Sequence, residues 1–402
     1  MKLVAIPKEK FESYRLDVIF DGYKWDPQYL DNSTVASYIL VITEDEHARL
    51  MSLTEKLAEE TVHAEQFLIK NQKLIKPLAL PGKIRRELSK VNNYNADVHI
   101  RLMRFDFHPT VEGDWKISEV NSDVPGGLAE ASILPDIAAG LLGNNLYNYI
   151  NLGDKIADAI KRKVKPGGRI VMVHCTSYSD DRQVMQFMGD KLLCLGFKII
   201  YAAADHLSFE NNKARCILDG NKGAADAIFR FNPIEWLIDI KPKRWQGYFN
   251  TTTSSCNHPI AVFAQTKRFP LIWGILEKQG ISLTVWRDLL PETLEVDHAK
   301  GKEGFIYKPV YGRVGERISI KEACKDDEYE KIIKDVRRNP KNYLAQKMFF
   351  SLPLKGEHGE EFHVCIGSFA VDGTAAGYYA RISKTPRIDS GAADIPVLIE
   401  RG

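Results

Sequence analysis

The chain has 402 residues, 44% of them hydrophobic and 27% charged, a composition that suits a globular protein of two or three subdomains. Its formal net charge of +2 gives no bulk attraction to nucleic acid or to an anionic membrane surface, and no apolar run approaches the roughly 20 residues that cross a bilayer. The six cysteines (Cys175, Cys194, Cys216, Cys256, Cys324, Cys365) form no CxxC pair, which excludes a zinc ribbon and fits unpaired thiols in a reducing cytoplasm.

The apolar stretch after Lys2 stops at Pro7, too short for a signal peptide, so a cytoplasmic location is expected. The first clear element is a helix opened by Thr43 and Glu46, a capping-box pair, and running to about Lys70. Residues 98–107 and 115–120 read as strands around Glu112-Gly113, taken as a two-residue hairpin loop. An Ala- and Leu-rich helix follows Pro125-Gly126-Gly127 to about Leu142. Residues 169–175 and 197–203 read as strands around a helix that Asp180 or Asp181 would cap, giving a βαβ unit without GxGxxG. Strands at 215–218 and 227–231 flank Asp219-Gly220-Asn221. The last third is β-rich, with strands at 305–310, 317–320 and 343–350, and a pair at 363–371 and 377–382 around Asp372-Gly373. The fold class expected is α/β with α+β character. Three parts are expected: 1–164 with the 98–120 hairpin, a βαβ part at 165–250, and 251–402 with the Gly-rich loop.

The hairpin carries the most chemistry. Side chains alternate faces along a strand. With Glu112-Gly113 as the loop, Asp106 falls opposite Glu119 and Arg104 opposite Asn121, all on one face. Facing carboxylates need a cation, and oxygen ligands from Asp, Glu and Asn suit magnesium beside substrate phosphates. Arg104 would hold a phosphoryl or carboxylate oxygen in bidentate fashion. The same residues also fit a solvated strand face with an ordinary Arg–Asp pair.

Lys308 precedes Tyr311-Gly312-Arg313-Val314-Gly315, where glycines at 312 and 315 would let backbone amides approach phosphate. A plain hairpin with an exposed lysine fits as well, and GxxxxGKS is absent. Gln346, in an otherwise apolar strand, would line an adenine pocket or be a satisfied core amide. Arg381 would clamp a transferring phosphoryl group or lie on the surface. Asp180 and Asp181 offer contacts to a cationic amine, or simple helix capping.

Taken in order, several segments resemble the synthetase part of the glutathionylspermidine synthase family. They are Arg104-Phe105-Asp106-Phe107, Glu119-Val120-Asn121-Ser122-Asp123-Val124-Pro125 with Glu130, Asn232-Pro233-Ile234-Glu235-Trp236-Leu237, Lys308 to Gly315, and Ile366-Gly367-Ser368-Phe369 leading to Arg381. The resemblance implies a permuted ATP-grasp fold, with the metal carboxylates ahead of the nucleotide lysine. It implies magnesium on Asp106, Glu119 and Asn121, and ATP on Lys308, Gly312, Arg313, Gly315 and Gln346. Arg104 and Arg381 would stabilise the transferring phosphoryl group. The implied activity joins a carboxylate to an amine through an acyl phosphate, releasing ADP and phosphate. Val124 stands where the glutathione-specific members have serine, and Val314 where glutamate is usual. The length implies a stand-alone synthetase-like member without the amidase domain. The alternative is a protein that binds ATP without turning it over.

Overall fold

The computed structural model describes residues 1–92, 94–143, 145–312 and 315–401. Its centre is a mainly antiparallel sheet of six strands, in the order Ala393–Ile395, Thr374–Ser383, Glu361–Val371, Leu102–Pro109 and Trp115–Asn121, with Leu354–Lys355 paired to the side of Glu361–Val371. Every residue of Leu102–Pro109 is buried, because both faces of the sheet are covered. One face packs Phe105 and Phe107 against Trp286 and Trp115, edge to face. The helix Glu44–Lys70 lies across the sheet. Thr43 accepts from the Glu46 amide and Glu46 returns the bond to the Thr43 amide, the reciprocal cap expected from the sequence.

A second sheet is wholly parallel, in the order Ser254–Cys256, Ala227–Arg230, Arg169–Val173, Lys198–Ala202. Arg169–Val173, the helix Ser179–Cys194 and Lys198–Ala202 make the expected βαβ unit. Its helix begins differently from expectation. Tyr178 is the N-cap and contributes no side-chain bond, while Asp180 and Asp181 lie inside the first turn. There their charge favours the amino end of the helix dipole, and Asp181 Oδ2 accepts from the Cys175 amide at 3.3 Å.

Asn257 joins the parallel sheet to the central one. Its Oδ1 accepts from the Leu102 amide at 2.7 Å, and its Nδ2 donates to the carbonyls of Leu102 and Asp123, each at 2.8 Å. A third sheet holds Thr293–Glu295, Tyr343–Lys347 and Phe305–Pro309 and forms one wall of the cleft described below. The strand expected at 317–320 is absent. Arg317 has φ +56°, which breaks extended backbone, and Ser319 Oγ replaces a ladder carbonyl in accepting from the Tyr307 amide at 2.7 Å. The turn Asp372-Gly373 has φ of +50° and +85°, the pair of positive angles that a two-residue hairpin loop requires. Ahead of the long helix, Lys2–Ala5 and Tyr38–Ile42 join Val397–Glu400 and Tyr147–Asn148 in a sheet that the sequence did not announce.

Among the described residues, no helix is long and apolar enough to cross a membrane.

Candidate active site

The hairpin places its carboxylates by two compensating irregularities. Its loop has three residues, not the two expected. The Gly113 amide donates to Thr110 at 3.0 Å, and Thr110 pairs with Asp114 through a 2.8 Å bond. Gly113 takes φ +83°, the left-handed position that closes such a loop. This moves the register near the tip by one residue, so that Phe107 faces Ile117. A β-bulge then sets Ser118 and Glu119 together against Asp106, after which Phe105 faces Val120 and Arg104 faces Asn121. Arg104 and Asn121 therefore pair as expected, and Asp106 shares its partner position between Ser118 and Glu119.

These residues are not a solvated face. Arg104 and Asp106 are buried. Arg104 donates from Nε to Asp106 Oδ1 at 2.7 Å, from Nη2 to Oδ2 at 3.0 Å, and from Nη1 to the Gly126 carbonyl at 2.7 Å. Asn121 Nδ2 donates to Asp106 Oδ2 at 3.1 Å. The Arg104 guanidinium also lies over the Tyr379 ring, 5.1 Å from its centre. Gly367, opposite Asp106 on the neighbouring strand, leaves room for this arrangement; a Cβ there would stand 2.6 Å from Arg104 Cδ.

Two cavities meet at this hairpin. One, of about 720 Å³, is lined by Asp106, Glu119, Lys308, Gly315 and Arg381, with Cys365 and His108 behind them. The Arg381 side chain makes no hydrogen bond or ion pair among the described residues, and its guanidinium lies 5.9 Å from the Tyr379 ring centre. The other, of about 440 Å³, is apolar: Val120, Phe269, Trp286, Leu290 and Leu344 line it, and Gln346 is set into its wall. Ser118, Glu119 and Lys308 belong to both. Gln346 donates to Thr293 Oγ1 at 3.0 Å, while its Oε1 is buried without a hydrogen-bond partner. Because Ile306 faces Gln346 and Lys308 faces Leu344 across the ladder, Lys308 and Gln346 share one face of the third sheet.

The charges are poised unevenly. Burial pushes the Lys308 ammonium down to about 8; Glu119 pulls it back up and Lys267 pushes it further down. Lys308 Nζ donates to the Ser118 carbonyl at 3.2 Å. Burial alone would raise the Glu119 carboxyl, but Lys267, Lys308 and Arg104 outweigh it and hold it well below the usual carboxylate range.

Lys267 escaped the sequence reading. Its Nζ lies 2.8 Å from Glu119 Oε2 and donates to the Gly312 carbonyl at 2.6 Å, joining the hairpin to the Gly-rich loop. No motif marks it; only the chain's return past the hairpin brings it there. Gln265 was also missed, and its Oε1 accepts from the amides of Ser122 and Asp123 at 2.7 and 2.8 Å. Gly315 faces the polar cavity, whereas Gly312 lines a separate surface cleft with Arg268 and Arg317. Arg313, the remaining candidate of that loop, lies outside the described residues.

Asp123 links two of the segments that carry the resemblance. It is fully buried against Arg230, with a 3.1 Å bond from Arg230 Nη1 and a second from Nη2, and it accepts from the Ile234 amide at 2.9 Å. The stretch 119–125 is thereby fastened to 232–237.

A family model described as glutathionylspermidine synthase preATP-grasp matches residues 9–400. The chain belongs to this family. It is a ligase-type, synthetase-like family, and the mixed α/β fold agrees. A glutathione synthetase-like effector from Globodera pallida, solved in its apo form, superposes with a TM-score of 0.67 at 11% identity, covering 97% of each chain. That likeness establishes the ATP-grasp-type fold. A gamma-glutamylcysteine synthetase-like protein from Methylobacillus flagellatus covers 85% of this chain and 88% of its own, at 12% identity and a TM-score of 0.43, too distant to bear on the fold. No curated protein sequence matches.

Among the described residues, no three His, Cys, Asp or Glu side chains form a metal cluster. For magnesium this is no obstacle, since that ion binds one or two protein carboxylates and takes its remaining ligands from phosphate and water. Asp106 and Glu119 line the same cavity, and Asn121 is bonded to Asp106.

Proposed function

We propose that this family member is an ATP- and magnesium-dependent carboxylate–amine ligase. The observation that carries the reading is the meeting of two cavities at Glu119 and Lys308. One is apolar, with an unpartnered amide oxygen at Gln346; the other holds two carboxylates and an uncommitted arginine. An adenine amino group would satisfy Gln346 Oε1 while the ring lies among the apolar side chains. The triphosphate would then run past Lys308 toward Arg381 and the Gly315 backbone.

Asp106, Glu119 and Asn121 would hold magnesium, which when bound supplies charge neutralisation between the terminal phosphates. A carboxylate substrate would take the γ-phosphoryl group with loss of ADP, and the amine would displace phosphate from the acyl carbon and lose a proton. Arg381 would gather the charge that spreads over the transferring phosphoryl oxygens, and the lack of an ion pair to its side chain among the described residues supports that role. Arg104, locked on Asp106 and Tyr379, would fix the direction of the Asp106 carboxylate. Lys267 would exchange Glu119 and the Gly312 carbonyl for phosphate. The six cysteines are all unpaired, which supports a reducing, cytoplasmic setting.

The deciding experiment is ADP release from magnesium-ATP with pooled carboxylates and pooled amines, read beside product masses. ADP that needs both pools, with a condensed mass, is the expected result. Tight ATP binding without turnover in any pool would favour a nucleotide-binding protein that is not an enzyme.

A further inference from the structure

One strand beyond Arg381, an ammonium is buried among three carboxylates. Lys24 Nζ lies 2.8 Å from Asp394 Oδ2, 3.1 Å from Asp26 Oδ1 and 3.5 Å from Glu130 Oε1. Lys24, Glu130 and Asp394 are 5%, 6% and 3% exposed. An ammonium has three donors; Lys24 donates to Glu130 Oε1 and pairs with Asp394, while Asp26 Oδ1, though 3.1 Å away, is buried without a hydrogen bond among the described residues. The group is nevertheless over-supplied with acceptors. Glu130 Oε2 is buried and accepts no hydrogen bond from another residue, although Gln183 reaches Oε1 at 3.2 Å. Asp26 stands at the outer edge, about one-third exposed, and the charge of Asp180 on the neighbouring helix is felt there.

This buried cluster adjoins the candidate active site through Tyr379. Tyr379 donates from its hydroxyl to Asp394 Oδ1 at 2.7 Å, and its ring carries both Arg104 and Arg381. Asp394 is also the ladder partner of Arg381. Lys24 is no part of this sheet; it enters from the stretch that follows the helix Lys8–Phe20, held by bonds from the Lys24 amide to Val18 and from the Trp25 amide to Gln183.

We propose that the three carboxylates around Lys24 form a primary-ammonium subsite beside the reaction centre and that Lys24 is its tethered occupant. In the wild-type protein the subsite is therefore closed to a second ammonium of the acceptor, and the acceptor is a monoamine or an amino acid rather than a diamine. The statement about the acceptor rests on the ligase reading; the statement about the subsite does not.

The test uses the full chain with Lys24→Ala, and Lys24→Met as a variant that fills the space without charge. The probes are n-butylammonium and 1,4-diaminobutane at millimolar concentration, followed by thermal unfolding and calorimetry without ATP. Lys24→Ala is expected to melt several degrees below wild type and to regain most of that difference with either amine, while wild type and Lys24→Met show no amine-dependent shift. A Lys24→Ala protein that ignores both amines, or that cannot be obtained folded even in their presence, would overturn the proposal. So would an amine response equal in all three proteins. If the protein turns over, diamine acceptors should gain at least about tenfold over monoamines in Lys24→Ala, and an unchanged acceptor profile would overturn the selectivity. Because binding is read without nucleotide, an inactive ligase leaves the test readable, and a negative result leaves the ligase reading standing.

Discussion

Arg104 and Asp106 stand two residues apart on one buried strand and close a two-point ion pair, at 2.7 and 3.0 Å. The pair engages both carboxylate oxygens of Asp106, so a cation bound there would share them with the guanidinium. Asp106→Asn keeps the shape and one acceptor oxygen but removes the charge. Turnover should fall by at least about 10²–10³-fold, as when a single preorganised electrostatic group is lost. Circular dichroism should still report a folded protein. Asp106→Ala should be worse, because it strands a buried guanidinium, and a loss of about 3–5 kcal/mol in urea unfolding is expected. A fully active Asp106→Asn enzyme would remove the metal assignment.

Gly367 tests positioning rather than charge. A methyl group there would meet Arg104 at Cδ and Nε, 2.6 and 2.8 Å away, and push the side chain off Asp106. Gly367→Ala should lower kcat more than it raises the KM for ATP, since the nucleotide contacts proposed for Lys308 and Gln346 lie elsewhere. Steady-state kinetics over ATP concentration would check this, and an unchanged kcat would show that Arg104 need not be held.

Lys308 gives nucleotide binding and folding opposite responses to pH. Burial lowers its folded-state value to about 8 from an ordinary 10.5. Phosphate binds the charged form, so ATP affinity should be fullest below pH 8. It should weaken by up to about tenfold per pH unit above that, with a proton taken up on binding. Folding responds in the opposite direction. The unfolded chain keeps this proton up to its higher value, so the lysine's cost to the native state fades as pH rises from about 8 toward 10.5. Calorimetry at pH 8.5 in buffers of different ionisation enthalpy would detect the proton, and Lys308→Met should flatten both dependences.

Gln346 offers a nucleotide-selectivity test. Its unpartnered Oε1 is an acceptor in an apolar wall. Gln346→Leu should weaken ATP by roughly 5–10-fold, the value of one hydrogen bond, and should narrow the preference for ATP over GTP. Competitive binding of the two nucleotides would measure it.

Arg230 concerns the frame rather than the chemistry. Arg230→Met leaves the Asp123 carboxylate buried with the Ile234 amide as its remaining partner among those described here. A loss of about 3–5 kcal/mol is expected by urea unfolding, with looser ATP binding at temperatures where the variant remains folded.

Much of the site was legible because its residues are local. Arg104, Asp106, Glu119 and Asn121 lie on one hairpin, where alternation and a two-residue loop predict the Arg104–Asn121 pairing that the three-residue tip and the bulge together restore. The helix from Glu44 was legible because its cap is written in two residues. Lys267, Gln265 and the Asp123–Arg230 pair were not, since each joins segments far apart in the chain and no periodicity encodes such meetings. The strand expected at 317–320 failed for a local reason, a left-handed Arg317, which residue type alone does not reveal. Asp180 and Asp181 looked like caps, yet the helix starts at Ser179 and Tyr178 takes the cap position.

The bulge at Ser118 and Glu119 makes the hairpin tolerant at one end and exacting at the other. The three-residue tip shifts the ladder by one position and the bulge shifts it back, so the outer rungs work like an adjustable coupling. A residue lost from the tip itself changes no pairing, because Thr110 still meets Asp114. A residue lost between Asp114 and Ser118 would be absorbed if the bulge straightened, leaving Arg104 opposite Asn121, whereas the same loss with the bulge intact would carry Arg104 on to Ser122. The bulge is thus a spare residue that the outer part of this strand can give up once.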